Sequence, residues 1–76
     1  MANYLSSIDF LNNKVNQTVE VHLTTGDVLT GKLIVFDDMF NLVLQNVQKK
    51  TVQLADVHLD DVFVRGNNVR FLLECE

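Results

Sequence analysis

Apolar residues along this chain recur with two different periods. Leu5, Ile8, Leu11 and Val15 stand three and four positions apart, which is one face of an α-helix and predicts a helix over residues 3–15, with Ser6 or Ser7 as its cap. Asn12 and Asn13 are poor helix formers and mark its end. From Val19 the period changes to two: Val19, Val21 and Leu23 alternate with Glu20, His22 and Thr24, the pattern of a half-buried strand. Thr25-Gly26-Asp27 reads as a turn. Residues 28–36 read as a long, β-branched second strand with Gly31 inside it. A glycine in such a place marks a sharp bend, a bulge or a close backbone approach, and a strongly curved sheet is expected.

Residues 41–50 read as a third strand, residues 51–56 as a connection interrupted by the apolar Val52 and Leu54, and residues 57–65 as a fourth strand. In the fourth strand the apolar phase moves at Asp60-Asp61, from Val57 and Leu59 to Val62 and Val64, which predicts a bulge there. Gly66-Asn67 makes a tight turn, and a fifth strand follows in which Val69, Phe71 and Leu73 alternate with Asn68, Arg70 and Leu72. The fold class is therefore mostly β: an N-terminal α-helix, then a strongly bent five-stranded antiparallel sheet curled into a small open barrel. An open barrel has two edges, and the last strands carry apolar residues in both phases, Phe63 beside Val62 and Val64, and Leu72 beside Phe71 and Leu73. Bare edges of this kind pair with another chain. Pairing that repeats head to tail closes into a ring when the rotation allows it.

The 76 residues make one expected domain over residues 1–76, small enough that only roughly 60% of the unfolded surface is buried on folding. With 47% hydrophobic and 21% charged residues the chain has a globular composition. Its net charge of -4 argues against sequence-blind coating of a nucleic-acid backbone, which needs Lys and Arg in excess. Any nucleic-acid site must be local and must read bases. No signal-peptide pattern and no apolar run of membrane-spanning length is present, so the expectation is an intracellular chain without a membrane partner, in nucleus or cytoplasm. The single Cys75 has no second cysteine for a disulfide or a metal site. Asp37-Asp38 and Asp60-Asp61 read as turn and strand surface, and His22 and His58 as exposed strand residues. Thr24, Thr25 and Ser6 have no histidine at an activating spacing, and Gly26 and Gly31 form no phosphate-cradling loop. The expectation is no catalytic residue, no metal, no cofactor and no small-molecule substrate.

Two stretches carry a family pattern. "LTTGDVLTGKLIVFDDMFNLVL" resembles the first motif of the Sm and Sm-like (LSm) family, with Gly26, Gly31, Asp37 and Asn41 at the matching positions, and "VFVRGNNVRFLL" resembles the second, with Arg65-Gly66 followed by Asn67. The interval from Asn41 to Arg65 carries no long insertion, as in D-type Sm proteins and many archaeal ones. The resemblance implies a ring of six or seven subunits, copies of this chain or other Sm/LSm subunits, in which the fourth strand of one pairs with the fifth of the next. It also implies uridine-rich single-stranded RNA at the central pore, in the service of RNA processing, RNA stability or ribonucleoprotein assembly, without enzymatic activity.

Site residues carried over from the resemblance are Asp37, Met39, Asn41, Arg65, Gly66 and Asn67. Asn41 is expected to bond a base edge while Asp37 orients it; Arg65 is expected to stack on or bond the same base, with the Gly66 backbone close by and Asn67 beside it. Single-stranded RNA leaves base faces and edges free for such contacts. Met39 stands where the family often has a histidine or an aromatic stacker, and Phe40 where it usually has methionine. The alternative readings are a turn amide for Asn41, an ion pair to a neighbouring subunit for Arg65, and for the whole chain an Sm-like scaffold that oligomerises without binding RNA.

Overall fold

The computed structural model describes residues 7–51 and 56–74. Helix α1, Ser7–Lys14, is followed by β1 (Thr18–Leu23), β2 (Val28–Phe36), β3 (Leu42–Lys50), β4 (Val57–Val64), a 3-10 turn at Gly66–Asn68, and β5 (Val69–Glu74). The five antiparallel strands form one sheet in the order β4-β3-β2-β1-β5. Ser7 is already helical, and the expectations placed on Leu5, Ser6, Val52, Leu54 and Cys75 lie outside the described residues.

Val19 and Val21 of β1, Leu29 and Leu33 of β2, Leu42, Leu44 and Val47 of β3 and Val64 of β4 point to one side of the sheet and form the core with Leu11 of the helix. Burial of about ten such side chains at ~1.5–3 kcal/mol each is the main force that holds so small a chain together. Lys14, in the last turn of α1, bonds Glu74 at 2.9 Å and ties the helix to the end of β5. After the helix, Asn16 takes a left-handed conformation (φ 69°) and donates its N–H to the Leu33 carbonyl, while Leu33 donates back to Gln17, so the chain enters β1 already paired to β2.

The sheet bends at two offset bulges between β2 and β3. Thr30 pairs with Gln48 and Lys32 with Gln45, so Gly31 alone faces Asn46 and Val47; further on, Leu33 pairs with Leu44 and Val35 with Val43, which leaves Ile34 as the extra residue. Asn46 reaches φ 59°, a left-handed conformation that Asn tolerates better than most residues, and its side-chain oxygen lies 2.8 Å from His58 Nε2. The expected bulge at Asp60-Asp61 is not there. β3 and β4 keep one register, with Leu44 opposite Val62 and Val47 opposite Leu59, so both strands change phase together across the bend made by Asn46. The phase change was legible; its cause sits one strand away.

β5 departs from simple alternation as well. His22 pairs with Phe71 and Leu23 with Val69, so Arg70 is the extra residue and the phase switches. Val69 and Leu72 pack on the core, whereas Phe71 and Leu73, expected on the same face as Val69, are 43% and 46% exposed. The outer face of β1 and β5 carries a His22–Phe71 ring stack at 4.3 Å, with Glu20 Oε1 2.7 Å from His22 Nε2.

A methyl group at Gly31 would stand 2.9 Å from the Val47 side chain and 3.1 Å from the Gln45 carbonyl oxygen. Val47 is fully buried and branched at Cβ, so it yields little. Gly31→Ala is therefore expected to lower unfolding stability by about 1–3 kcal/mol, measured by urea denaturation; an unchanged midpoint would show that the bend has slack.

Candidate nucleic-acid interface

Strand register brings the two expected loops together. Leu42 lies opposite Val64, and one step beyond that pair the chain reaches Asn41 on one strand and Arg65 on the other. The residues flanking them complete two turns, 37–41 between β2 and β3 and 65–68 between β4 and β5.

Asp37 builds the first turn from inside. Its carboxylate Oδ1 accepts the backbone N–H of Met39 at 2.9 Å and of Asn41 at 3.0 Å, and its Oδ2 accepts the Asn41 side-chain amide at 2.9 Å. Backbone bonds from Asp37 to the Asn41 carbonyl and from Phe40 to the Asp37 carbonyl, both 3.1 Å, close the loop. Phe40 sits at φ 67° with its ring packed against the core. This inverts the exposure of its neighbour: Met39 is 75% exposed. Phe40 thus serves as the buried foot of the loop and Met39 as its tip.

One hydrogen bond joins the turns. The Gly66 N–H donates to Asn41 Oδ1 at 2.7 Å, across 25 positions of sequence. Because a backbone N–H only donates and a carboxylate only accepts, these two partners fix which end of the Asn41 amide is oxygen and which is nitrogen. One N–H and one lone pair of that amide remain for a ligand. A Cβ at Gly66 would overlap the Met39 carbonyl oxygen and crowd the Phe40 carbonyl carbon at 3.0 Å, so glycine is required by close approach of the first loop. The second loop is held at its other end by Asn68, which donates its N–H to the Arg65 carbonyl at 3.0 Å and accepts the N–H of Thr24 at 2.8 Å.

Of the six expected residues, Asp37, Asn41 and Gly66 form one bonded cluster, over which the Met39 backbone lies. Arg65 is exposed at its side, with no ion partner among the described residues, and Asn67 is exposed in the 3-10 turn. Sequence reasoning missed the tie of Thr24 to Asn68; it is a backbone bond with no side-chain signal. The Asp37 carboxyl titrates below the ordinary carboxylate range because the Asn41 side-chain amide and then the Asn41 backbone N–H bond its ionised form, with Met39 N–H adding to them against some desolvation. Among the described residues no group of three or more His, Cys, Asp or Glu side chains is placed to hold a metal ion, and no helix is long and apolar enough to cross a membrane.

A bent five-stranded sheet with a short N-terminal helix, and two turns locked by Asp, Asn and Gly at one end of it, define an Sm-type domain. The family model for the LSM domain matches residues 9–74, and the chain belongs to that family. It is 35% identical over 66 residues to the small nuclear ribonucleoprotein Sm D3 of Saccharomyces cerevisiae, covering 87% of this chain and 65% of that protein; this chain thus spans somewhat under two thirds of that relative. A heptameric archaeal Sm protein superposes with a TM-score of 0.81 at 25% identity, over 88% of this chain and 97% of the other. The Sm protein of Pyrococcus abyssii in complex with a uridine heptamer superposes with a TM-score of 0.86 at 22% identity, over 93% and 100% of the two chains, a likeness of fold.

A carboxyl group whose folded-state pKa is lowered supports the loop above its ordinary pKa and releases it as pH falls through the lowered value. The Asp37–Asn41 lock is therefore expected to be complete at neutral pH and to dissolve only in acid, below the range in which an ordinary aspartate takes up its proton. Carboxyl-carbon NMR should give Asp37 a midpoint below that of an ordinary aspartate, and the midpoint should rise in Asn41→Ala; the same midpoint in both proteins would mean that the amide does not hold the carboxylate.

Proposed function

We propose that this chain is a non-enzymatic RNA-binding subunit of an Sm/LSm-type ring, taking uridine-rich single-stranded RNA at the central pore and serving RNA processing, stability or ribonucleoprotein assembly. The observation that carries the reading is the Asn41–Gly66 bond of 2.7 Å, which aims a pre-oriented amide, with one donor and one acceptor unused, beside the exposed Arg65 side chain. Uracil offers a matching donor and acceptor side by side at N3–H and O4. An arginine plane stacks on a base face, and Met39 at the loop tip gives a soft apolar contact on the same base.

In this reading Asp37 and Gly66 position Asn41, Asn41 reads the base edge, Arg65 and Met39 embrace the base, and Asn67 stands beside them, exposed in the 3-10 turn. Support comes from the family, from the likeness in fold to a heptameric Sm protein, and from the likeness in fold to one bound to a uridine heptamer. The acidic net charge of -4 fits recognition by base pockets rather than by a cationic groove, with a shallow salt dependence as a consequence. Each pocket contributes modestly, on the order of 1–3 kcal/mol per stacked base, and repetition around a ring multiplies the affinity through effective concentration when one strand visits several pockets.

The test is a titration of fluorescent oligo-uridine into wild type, Asn41→Ala and Arg65→Ala, each with its assembly state checked. Both substitutions are expected to weaken binding by about tenfold or more, since ~1.4 kcal/mol per tenfold lies within the loss of a single pocket contact. Absence of binding by a properly assembled wild type would instead favour a scaffold that forms rings without RNA.

A further inference from the structure

The tip of the first loop joins an anchored backbone to a free side chain. Met39 donates its N–H to Asp37 Oδ1 at 2.9 Å, and its carbonyl oxygen lies where a Cβ on Gly66 would stand, so the main chain is held on both sides of the residue. Its side chain is 75% exposed, more than any other large apolar side chain among the described residues. The core makes no use of it, because Phe40, turned by its φ of 67°, fills the place beneath the loop.

This division puts a carbon-only ring in the core and the thioether in the open. A buried methionine that gains an oxygen disrupts its packing, whereas one at an exposed tip can take up oxygen with the fold intact. The chain has two methionines, and the other is the N-terminal Met1, so within the two turns Met39 is the one sulfur. Arg65, beside Gly66 on the second turn, is exposed and has no ion partner among the described residues. Its donors are therefore open to a new acceptor at the tip.

We infer that Met39 makes base binding at this site sensitive to peroxide. The inference rests on the RNA-binding reading above and deepens it, by naming what regulates the same pocket. The Met39 sulfur lone pair attacks one oxygen of hydrogen peroxide; an S–O bond forms as the O–O bond breaks, and the hydroxide that leaves takes the proton of the transferred hydroxyl. The products are methionine sulfoxide and water, with sulfur oxidised and peroxide reduced. A soft apolar tip becomes a polar one that carries a hydrogen-bond acceptor. Two consequences act in the same direction. A base packed on the tip must strip water from the sulfoxide oxygen, and that oxygen offers the guanidinium donors of Arg65 a partner in competition with the base. The bonds among Asp37, Asn41 and Gly66 do not use the Met39 side chain, so oxidation weakens the pocket without dismantling the loops. Where one strand visits several pockets of a ring, each oxidised pocket adds its loss, and the response to peroxide is steeper than that of a single site.

The experiment uses the purified full chain with Cys75→Ser, which leaves the two methionines as its only sulfur. Hydrogen peroxide is added, peptide mass spectrometry follows the oxygen at Met39 and at Met1, and fluorescent oligo-uridine is titrated before and after. Met39 is expected to gain oxygen with circular dichroism and native mass unchanged, while binding weakens by about tenfold, within the loss of a single base contact. Methionine sulfoxide reductases for both epimers should restore it. In Met39→Leu on the same background, the affinity before peroxide, whatever its value, should be kept after it. Unchanged affinity with Met39 fully oxidised, a Met39 that resists peroxide while Met1 is oxidised, or a loss that persists in Met39→Leu overturns the inference and leaves the RNA-binding reading standing. A loss that comes with unfolding or a changed native mass also overturns it. Absence of binding by the assembled chain before any peroxide overturns the RNA-binding reading, and this inference falls with it.

Discussion

The Gly66 N–H to Asn41 Oδ1 bond is the constraint on which the two-loop end of the molecule depends. It satisfies a backbone donor in a tight turn, fixes the orientation of an amide that would otherwise flip, and holds two loops far apart in sequence in van der Waals contact. The contact is so close that only glycine fits at position 66. Asp37 completes it from the opposite side, with three acceptor contacts that define the first loop. Loops held in this way have little freedom left to lose, and pre-organisation of that kind lowers the ordering cost of any contact made there.

The register that makes this bond possible comes from the bent sheet. Two offset bulges between β2 and β3 curl the strands enough for the sheet to wrap one small core, and the constant register of β3 and β4 delivers Asn41 and Arg65 side by side. The same curl falls short of closure. β4 and β5 keep uncovered edges and exposed apolar side chains. Arg65 and Gly66 follow directly on β4, one of the two strands with a bare edge.

Much of this was legible in the sequence. The period-two run of β1 pointed to Val19 and Val21 as its inward side, and the β-branched run over residues 28–36 showed β2 as a strand, without telling its core residues Leu29 and Leu33 from their neighbours. Gly31 announced the bend, since few other features place a glycine inside a β-branched strand. What the sequence hid was backbone conformation. Asn46 and Phe40 at positive φ look like ordinary residues of a strand and a loop, so the bulge opposite Gly31 was assigned to Asp60-Asp61, where its effect on phase shows. The extra residue at Arg70 was hidden for the same reason: in a stretch apolar in both phases, alternation cannot tell Leu72 from Phe71 or Leu73. Within the site, Asp37, Asn41, Arg65 and Gly66 were named through the family motifs, whereas the bond that unites Asn41 with Gly66 is a product of register and could be seen only in three dimensions.

The most direct measurement of a preformed two-loop site is amide hydrogen exchange at Gly66 in the protein without RNA. Its N–H should exchange far more slowly than that of exposed Asn67, and the protection should vanish in Asn41→Ala while the core amides of β2 and β3 keep theirs. Equal exchange at Gly66 and Asn67 in the wild type would contradict the account, because the loops would then meet only when a ligand gathers them.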